Sequence, residues 1–321
     1  MTEIPGPCDG VLICPVCSDP MAGDGRALRC PRGHSFDRAR EGYYHLLPAG
    51  HGRSKIQGDT REMVRARRRF LERGHYEPLL RAIAACVSRE RRVSTVVEAG
   101  CGEGYYVGGV ARAVGVARAA DGAAQDGGSA REAGAAREAG AAREEGAARC
   151  FIGVDVSKEA VRLAARAYPD VVFLVNDVKH RVTVADGSVD VLLDVFAPRN
   201  PGEFARVVRD GGLLLVAIPG DDHLRELRER LPLLGIEPGK RERTVEQFAG
   251  AFRLESEEVV EYRRELGAEE VVDLVGMTPS AWHVEEDALA EAATWGAVTV
   301  TVSVLVMGFR RVAGGEATGC W

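Results

Sequence analysis

The chain after residue 92 alternates short apolar runs with helical patterns, and this alternation limits the fold more than any other feature. The runs read "VSTVVEAG", "CFIGVDVS", "VVFLVND", "SVDVLLDVFA" and "GGLLLVAIPG", with helical stretches such as "SKEAVRLAARAYP" and "PGEFARVVRDGG" between them. Strands that are apolar on both sides belong to parallel sheets that helices cover on both faces. The pattern predicts a doubly wound α/β sheet. A final run, "WGAVTVTVSVLVMGFRRV", alternates with period two and predicts an antiparallel hairpin strand at the sheet edge.

Three cysteines and a histidine near the start predict a metal site. Cys14 and Cys17 form a C-x-x-C pair, and a twelve-residue spacer separates them from the C-x3-H pair Cys30 and His34. Three thiolates and one imidazole are a ligand set of closed, tetrahedral, structural zinc sites. Such a metal stabilises a domain too small for its own core, and it does not activate water. A redox C-x-x-C and a chance pattern are the alternatives.

The remaining chemistry of the chain is that of an intracellular protein. No apolar run approaches the roughly 20 residues needed to cross a bilayer, and the start lacks the features of a signal peptide. We therefore expect a cytoplasmic protein with reduced thiols. No role is assigned to the other cysteines singled out, Cys8, Cys86, Cys150 and Cys320.

The segments differ in charge and complexity. We expect a zinc-binding domain at 1–45, a basic helical connector at 46–92 and the sheet domain at 93–315, interrupted by a low-complexity insertion at 116–149. Residues 26–92 hold seventeen Lys or Arg and seven Asp or Glu, a local charge of +10 within a chain of −6. Screening over about 8 Å makes this local charge the relevant one for a docking surface.

The connector contains one clear helix, "DTREMVRARRRFLERG". Asp59 and Glu62 suit a capping box at its start, and Gly74 suits its end. Met63, Ala66 and Phe70 should face the protein, while Arg61, Arg65, Arg68 and Arg69 project elsewhere, as a solvated face or as phosphate contacts.

The stretch "VVEAGCGEGYY" predicts a cofactor loop at the end of the first strand. It places Glu98, Gly100, Gly102 and Gly104 immediately before a helix, where glycines let the backbone approach a ligand. It differs from the G-x-G-x-x-G dinucleotide fingerprint and from the phosphate-binding P-loop, which disfavours NAD and ATP. It is similar to motif I of the class I S-adenosylmethionine-dependent methyltransferases.

Polar residues at two further strand ends agree with this interpretation. Asp155 suits the ribose hydroxyls, and Asn176 and Asp177 suit an adenine amino group. Each is equally typical of an ordinary strand-end turn.

Five motifs together resemble one family, the bacterial 23S ribosomal RNA guanine-N1 methyltransferases of the RlmA and TlrB type. They read "CPVC…CPRGHSFDRAREGYYHLLP", "GDTREMVRARRRFLERGHYEPL", "EAGCGEGYY", "DVFAPRNPGEFARVVRDGGLLLVAIPGDDHL" and "MTPSAW", and leave out little but the insertion. The resemblance implies a class I (Rossmann-like) methyltransferase sheet with a small N-terminal zinc-binding domain that helps to hold RNA. It implies S-adenosylmethionine and Zn2+ as cofactors, a 23S rRNA domain II hairpin loop as substrate, and a homodimer. The Ala/Arg/Gly-rich composition looks closer to the macrolide (tylosin-type) resistance branch than to housekeeping enzymes.

By position, the resemblance also implies cofactor contacts for Tyr76, Gly104, Tyr105 and His223. A surface histidine at a helix start is the alternative for His223.

The acceptor atom sets the chemical requirement. Guanine N1 carries a proton at neutral pH, so its methylation needs a base or an environment that stabilises charge on O6. Asp194 is one candidate base and is equally consistent with a turn, so the catalytic residue stays unassigned. Phe196 and Pro198 suit the faces of a flipped purine. The alternative functions are methylation of a small metabolite and non-catalytic RNA binding through the zinc ribbon.

Overall fold

The computed structural model describes residues 8, 10–47, 59–125, 150–278, 284 and 286–314. Most of the low-complexity insertion expected at 116–149 lies outside these residues. Among the described helices, none is both long enough and apolar enough to traverse a lipid bilayer.

A small antiparallel sheet lies at the N-terminal end. Its strands are β1 (Ala22–Gly23), β2 (Ala27–Arg29) and β3 (Ser35–Asp37), in that order. We call residues 10–37, which carry these strands and the four candidate zinc ligands, the zinc unit.

An eight-stranded sheet forms the centre of the molecule. Its strands, in chain order, are β4 (Tyr44–His45), β5 (Thr95–Ala99), β6 (Cys150–Asp155), β7 (Val172–Val175), β8 (Val189–Val195), β9 (Val208–Pro219), β10 (Phe252–Leu266) and β11 (Val298–Arg311). Their spatial order is β10-β11-β9-β8-β5-β6-β7-β4. The pairings among β4 to β9 are parallel, and β11 is antiparallel to both of its neighbours. The doubly wound α/β sheet predicted from the apolar runs is confirmed.

Helices and the zinc unit cover the two faces of this sheet. The helices are α1 (Arg61–Glu72), α2 (Glu77–Arg89), α3 (Tyr105–Gln125), α4 (Lys158–Ala167), α5 (Pro201–Val207), α6 (Arg225–Arg228), α7 (Lys240–Phe248), α8 (Ala268–Gly276) and α9 (Glu286–Ala292). One core contains apolar side chains of α1 to α4, α8 and α9, including the buried Phe70 and Leu79. The other contains those of the zinc unit, α5 and α7, including Leu28, Phe204 and Phe248. Burial of each such side chain contributes about 1.5–3 kcal/mol.

Two cysteines join the N-terminal segment to the central sheet. Cys8 and Cys150 form a disulfide with their Cα atoms 5.1 Å apart, although 142 positions separate them in sequence. The expectation that both remain reduced thiols without a role is therefore wrong for this pair. Cys86 is a free thiol, as expected.

The last strand is antiparallel, as predicted, but it is not the edge strand. β11 lies between β9 and β10, and β10 forms the edge. β10 reads "FRLESEEVVEYRREL", and most of its side chains are exposed. An edge strand with little packed on its faces needs no apolar alternation, so the hydrophobic pattern gives no sign of it.

Helix α1 begins one residue later than the proposed capping box requires. Thr60 is the N-cap, and its hydroxyl accepts a hydrogen bond from the Met63 N–H at 3.2 Å. The capping box of Asp59 and Glu62 does not form, because the Asp59 carboxylate pairs with Arg67 instead. The inward-facing residues Met63, Ala66 and Phe70 are buried as predicted.

Candidate active site and metal centre

The four predicted zinc ligands come together in the zinc unit. One ligand atom from each of Cys14, Cys17, Cys30 and His34 lies within 4.8 Å of the others. His34 Nδ1 is 3.5 Å from the sulfur of Cys14 and 3.3 Å from that of Cys30. All three sulfurs are free thiols, so Cys14 and Cys17 do not form a redox disulfide in this structure. Three sulfurs and one nitrogen around one point suit a closed tetrahedral Zn2+ site.

A cavity of about 450 Å³ opens at the carboxyl ends of β5 to β8, and we call it the rim cavity. Its size falls within the usual range for small-molecule sites. Seven of the residues proposed as cofactor contacts line it: Tyr76, Glu98, Gly100, Gly102, Tyr105, Asp155 and Asp177. The parallel topology explains this, because the carboxyl ends of neighbouring parallel strands lie at the same edge of the sheet.

The glycine loop after β5 lies directly against the loop after β8. Gly100 has φ +72°, and a Cβ atom there would be 2.5 Å from the Cβ atom of Ala197. Gly102 has φ +53° and lies beneath Arg67. Both positions require glycine for backbone conformation, and Gly100 also requires it for space.

Two carboxylates fix this loop. Asp155 accepts hydrogen bonds from the N–H of Gly102 at 2.9 Å and of Ser157 at 2.7 Å. Burial raises the pKa of Asp155, although both donors oppose the shift. Glu98 accepts from the Val107 N–H at 2.8 Å, in the first turns of α3, and burial raises its pKa well above the ordinary range. Both therefore order the backbone around the cavity as well as lining it.

Asp177 lies at the adenine end proposed from sequence. It accepts a hydrogen bond from the Lys179 N–H at 2.9 Å and pairs with His180 at 2.7 Å. It also lines a second, smaller cavity, which it shares with Ile13 and Cys14 of the zinc unit.

Three proposed cofactor contacts lie outside the lining of the rim cavity: Gly104, Asn176 and His223. A Cβ atom on Gly104 would be 2.8 Å from the Phe173 ring, so this glycine permits close packing behind the loop. Asn176 accepts a hydrogen bond from the Thr183 N–H at 3.3 Å. His223 lies behind Tyr76, with its Nε2 3.4 Å from the hydroxyl oxygen.

A charged group on α1, Arg67, also lines the cavity and was not among the predicted site residues. Arg67 pairs with Asp59 and donates to the Met277 carbonyl at 2.8 Å. The helical spacing indicates its orientation, because residue 67 comes four after Met63 and three before Phe70 and so lies on the inward face of the helix.

Glu103 is a second missed residue. It is buried, lines the cavity, and its Oε1 has no hydrogen-bond partner among the described residues. Burial raises the pKa of Glu103 to about 7, against the opposing charge of Arg67.

These charges fit S-adenosylmethionine. The carboxylates of Glu103, Asp155 and Asp177 match its ammonium group, ribose hydroxyls and adenine amino group, and Arg67 matches its carboxylate. The unpartnered oxygen of Glu103 fits a hydrogen-bond donor such as the ammonium group of the cofactor, because a buried polar atom normally has a partner.

Asp194 does not line the rim cavity. It is fully buried 3.7 Å from the Arg199 side chain, and burial raises its pKa to about 8. Both of its carboxylate oxygens lack a hydrogen-bond partner among the described residues. Phe196 and Pro198, in contrast, line the cavity, and Phe196 is 40% exposed. The geometry favours these two over Asp194 for contact with an acceptor.

Comparison with known proteins identifies relatives over nearly the full chain. A family model described as the N-terminal zinc ribbon of RlmA matches residues 12–55. A Micromonospora griseorubida protein with a provisional assignment as 23S rRNA (guanine-N(1)-)-methyltransferase is 40% identical, over 94% of this chain and 97% of the relative. The 23S rRNA (guanine(748)-N(1))-methyltransferase of Streptomyces fradiae is 37% identical, over 91% and 94%. A Bacillus subtilis relative with a provisional assignment to 23S rRNA guanine-N1 methylation is 28% identical, over 92% and 95%.

Coverage above nine-tenths of both chains means that the likeness extends through the zinc unit and the sheet. The class I methyltransferase fold with a small zinc-binding domain is thus confirmed. S-adenosylmethionine and Zn2+ are its cofactors. The chain therefore belongs to the bacterial 23S rRNA (guanine-N1)-methyltransferase family, of the RlmA and TlrB type.

Proposed function

We propose that this protein methylates N1 of a guanine in a hairpin loop of domain II of 23S rRNA. The observation that carries the proposal is the 40% identity over 94% of the chain to a relative assigned to 23S rRNA guanine-N1 methylation. The Streptomyces fradiae relative acts on guanine 748, so the equivalent nucleotide is the first to examine.

Exposed arginines on α1 and on the zinc unit suit an RNA substrate. Arg61 and Arg65 on α1 are exposed and form no ion pair within the described residues. The zinc unit adds the exposed Arg29 and Arg32, each paired with a single aspartate. Lys and Arg side chains on such a surface bind phosphates and release counterions.

The β10 edge of the sheet carries more glutamates than arginines. Strand β10 exposes five glutamates, of which Glu255 pairs with Arg310 and Glu257 with Arg241. The other three, Glu258, Glu261 and Glu265, form no ion pair within the described residues. These glutamates disfavour contact with a polyanion, so we expect RNA to contact the exposed arginines of α1 and of the zinc unit rather than β10.

Different residues of the rim cavity would bind different parts of the cofactor. When bound, S-adenosylmethionine supplies a methyl group that its sulfonium charge already activates. Arg67 and Glu103 would hold its amino-acid end, Asp155 its ribose and Asp177 its adenine. Alignment of the methyl group with N1, and exclusion of water, are then the main contributions of the protein.

The acceptor guanine must leave its helix or loop stack, because its Watson–Crick edge is the reacting edge. The exposed ring of Phe196 offers a surface on which an unstacked purine packs. Stacking of this kind contributes roughly 1–3 kcal/mol per base.

The test uses the zinc-loaded protein, methyl-labelled S-adenosylmethionine and 23S rRNA from cells that lack this methylation. We expect label on the RNA and a block to reverse transcription at one domain II guanine. RNA with adenosine at that position is the matched control. Label on a soluble metabolite instead, or RNA binding without label, would support one of the two alternative functions.

The same proposal includes three finer statements that follow from the resemblance. We propose a cytoplasmic homodimer that confers resistance to tylosin-type macrolides. Sedimentation of the zinc-loaded protein tests the dimer. Growth on tylosin, with and without the gene, tests resistance, and an unchanged inhibitory concentration despite full methylation would refute it.

A further inference from the structure

A loop with exposed basic side chains contributes to both the rim cavity and the smaller cavity. This basic loop, residues 177–183, follows β7, and its side chains Lys179, His180 and Arg181 are exposed. Its first three residues line the rim cavity, whereas His180, Arg181 and Thr183 line the smaller one. Neither Lys179 nor Arg181 forms an ion pair within the described part of the chain.

The start of α5 holds the backbone of the basic loop in place. The buried Asn200 side chain donates from Nδ2 to the carbonyls of residues 178–180, at 3.2, 3.0 and 3.4 Å. The Glu203 carboxylate accepts a hydrogen bond from the Val182 N–H at 2.9 Å. The basic side chains therefore project from a backbone that is already ordered, so little backbone entropy is lost when they bind a ligand.

The smaller cavity lies between the basic loop and the zinc unit. Its volume is about 90 Å³, and Ile13, Cys14 and Pro15 line it from the zinc unit. A water molecule takes up about 30 Å³ of the liquid, so the cavity has room for about three waters. This space suits a single group the size of a phosphate and is too small for a nucleoside, since small-molecule sites usually measure about 300 Å³ or more.

The buried Thr183 supplies an unpartnered polar group to this cavity. Its N–H donates to Asn176 at 3.3 Å, and its carbonyl accepts from the Ile13 N–H at 3.1 Å. Its side-chain Oγ1, in contrast, has no hydrogen-bond partner among the described residues, although the residue is only 2% exposed. Because a buried hydroxyl normally has a partner, this one indicates a ligand.

The charges around the smaller cavity favour an anion. The carboxylate that lines it, Asp177, already pairs with His180 at 2.7 Å and accepts from the Lys179 N–H at 2.9 Å. Arg181 has no such counter-ion, and its guanidinium is a planar fork of donors that matches the oxygens of a phosphate group. The guanidinium and the Thr183 hydroxyl together offer donors to the two charged oxygens of a phosphodiester.

We propose that the smaller cavity binds a backbone phosphate of the RNA substrate, with Arg181 and the Thr183 hydroxyl as its donors. This inference rests on the proposed function. Because the basic loop lines both cavities, the phosphate belongs to a nucleotide close to the target guanine. Such a contact fixes the position of the RNA strand over the rim cavity and carries no sequence information of its own.

The experiment measures binding of the domain II hairpin RNA to zinc-loaded proteins by fluorescence anisotropy. Arg181→Met removes the charge, Arg181→Lys keeps the charge without the fork of donors, and Thr183→Val removes only the hydroxyl. Arg263→Met is the control, because Arg263 is exposed on β10, five strands away from β7, and forms no ion pair among the described residues. Calorimetry gives the Kd of each protein for S-adenosylmethionine.

For Arg181→Met we expect the Kd for the hairpin to rise about 10- to 100-fold, typical of a lost hydrogen bond to a charged group. The slope of log K against log salt concentration should become shallower by about 0.7–0.9, the contribution of one phosphate contact. Arg181→Lys should keep the wild-type slope with a smaller loss of affinity, and Thr183→Val should lose affinity at an unchanged slope. Arg263→Met should bind the hairpin like the wild type, and every variant should keep the wild-type Kd for S-adenosylmethionine.

Hairpins that each carry one uncharged methylphosphonate linkage identify the phosphate. At one linkage near the target guanine, the substitution should weaken binding to the wild type but not to Arg181→Met, because both changes remove the same contact. Absence of this coupling at every linkage would overturn the inference. So would an affinity and a salt slope of Arg181→Met equal to those of Arg263→Met. If the wild type methylates no RNA, the proposed function fails; if it methylates the hairpin and Arg181 shows no coupling, only this inference fails.

Discussion

Replacement of Gly100 by alanine should both destabilise the protein and weaken cofactor binding. The residue has φ +72°, which costs an alanine roughly 1–2 kcal/mol. The new methyl group would lie 2.5 Å from the Ala197 Cβ, whereas carbon atoms normally approach to about 3.5–4.0 Å. The two loops must therefore separate by about 1 Å, and overpacking of this kind typically costs about 1–3 kcal/mol. The total is about 2–5 kcal/mol.

A matched glycine isolates the contribution of the contact. Gly187 also has a left-handed φ, +58°, but the nearest atom to a Cβ there is 3.9 Å away. Gly187→Ala should therefore show the backbone cost alone. At roughly 2–4 °C per kcal/mol for a chain of this size, Gly100→Ala should melt at least about 2 °C below Gly187→Ala.

Circular dichroism melts with saturating zinc measure this difference, and calorimetric titration measures S-adenosylmethionine binding. Gly100 and Ala197 both line the rim cavity, so only Gly100→Ala should bind the cofactor more weakly. Equal melting temperatures and equal affinities in the two variants would refute the close contact between the loops, and with it the described shape of the cavity.

Four further predictions concern the charges and the metal. Arg67→Met should weaken S-adenosylmethionine binding by about 1.5–3 kcal/mol, the usual contribution of a hydrogen bond to a charged group. Decarboxylated S-adenosylmethionine should bind the wild type and Arg67→Met equally well. The control Arg68→Met should bind S-adenosylmethionine like the wild type. Because the pKa of Glu103 is raised to about 7 and only the ionised carboxylate binds the ammonium group, cofactor affinity should increase about tenfold from pH 6 to pH 8. Calorimetry of Glu103→Gln should show no such pH dependence. In the cofactor-free protein the folded state binds the extra proton at Glu103, so the contribution of this residue to stability should fall as pH rises from about 4.5 through 7. The melting temperature of the wild type should fall relative to that of Glu103→Gln over this range, and a constant difference would contradict this. Cys14→Ser should lose zinc and also bind the cofactor more weakly. The metal site is connected to the cavity because the Ile13 N–H donates to the Thr183 carbonyl at 3.1 Å and the Thr183 N–H donates to Asn176, next to Asp177. The control Cys86→Ser should change neither property, and an unaltered cofactor affinity in zinc-free Cys14→Ser would exclude this coupling.

The parts of the fold that were predictable from sequence are the strands that are covered on both faces of the sheet. Strands such as β5 and β7 are buried throughout, so their sequences are continuous apolar runs that mark both element and topology. Strand β10 was missed because its exposed faces leave its sequence free to be charged.

The candidate site was predictable where one short segment supplies it. The metal ligands and the glycine loop are each a local pattern, and the spacing of the residues in the sequence is enough to recognise each one. Arg67 was missed because it reaches the cavity through tertiary packing of α1 over the loop. Glu103 lies within the glycine loop itself, but the local pattern does not show that its side chain is buried against the cavity. The Cys8–Cys150 pair was missed for the same reason, since no local pattern relates two residues 142 positions apart.

The Cys8–Cys150 bond also makes a covalent ring of the N-terminal part of the chain. The ring includes the zinc unit, α1 to α3 and the low-complexity stretch that precedes β6. A protease that cleaves once between residues 126 and 149 therefore opens the ring without releasing a fragment. In an oxidising buffer the nicked protein should run as one band on a gel, and a reductant should split it in two.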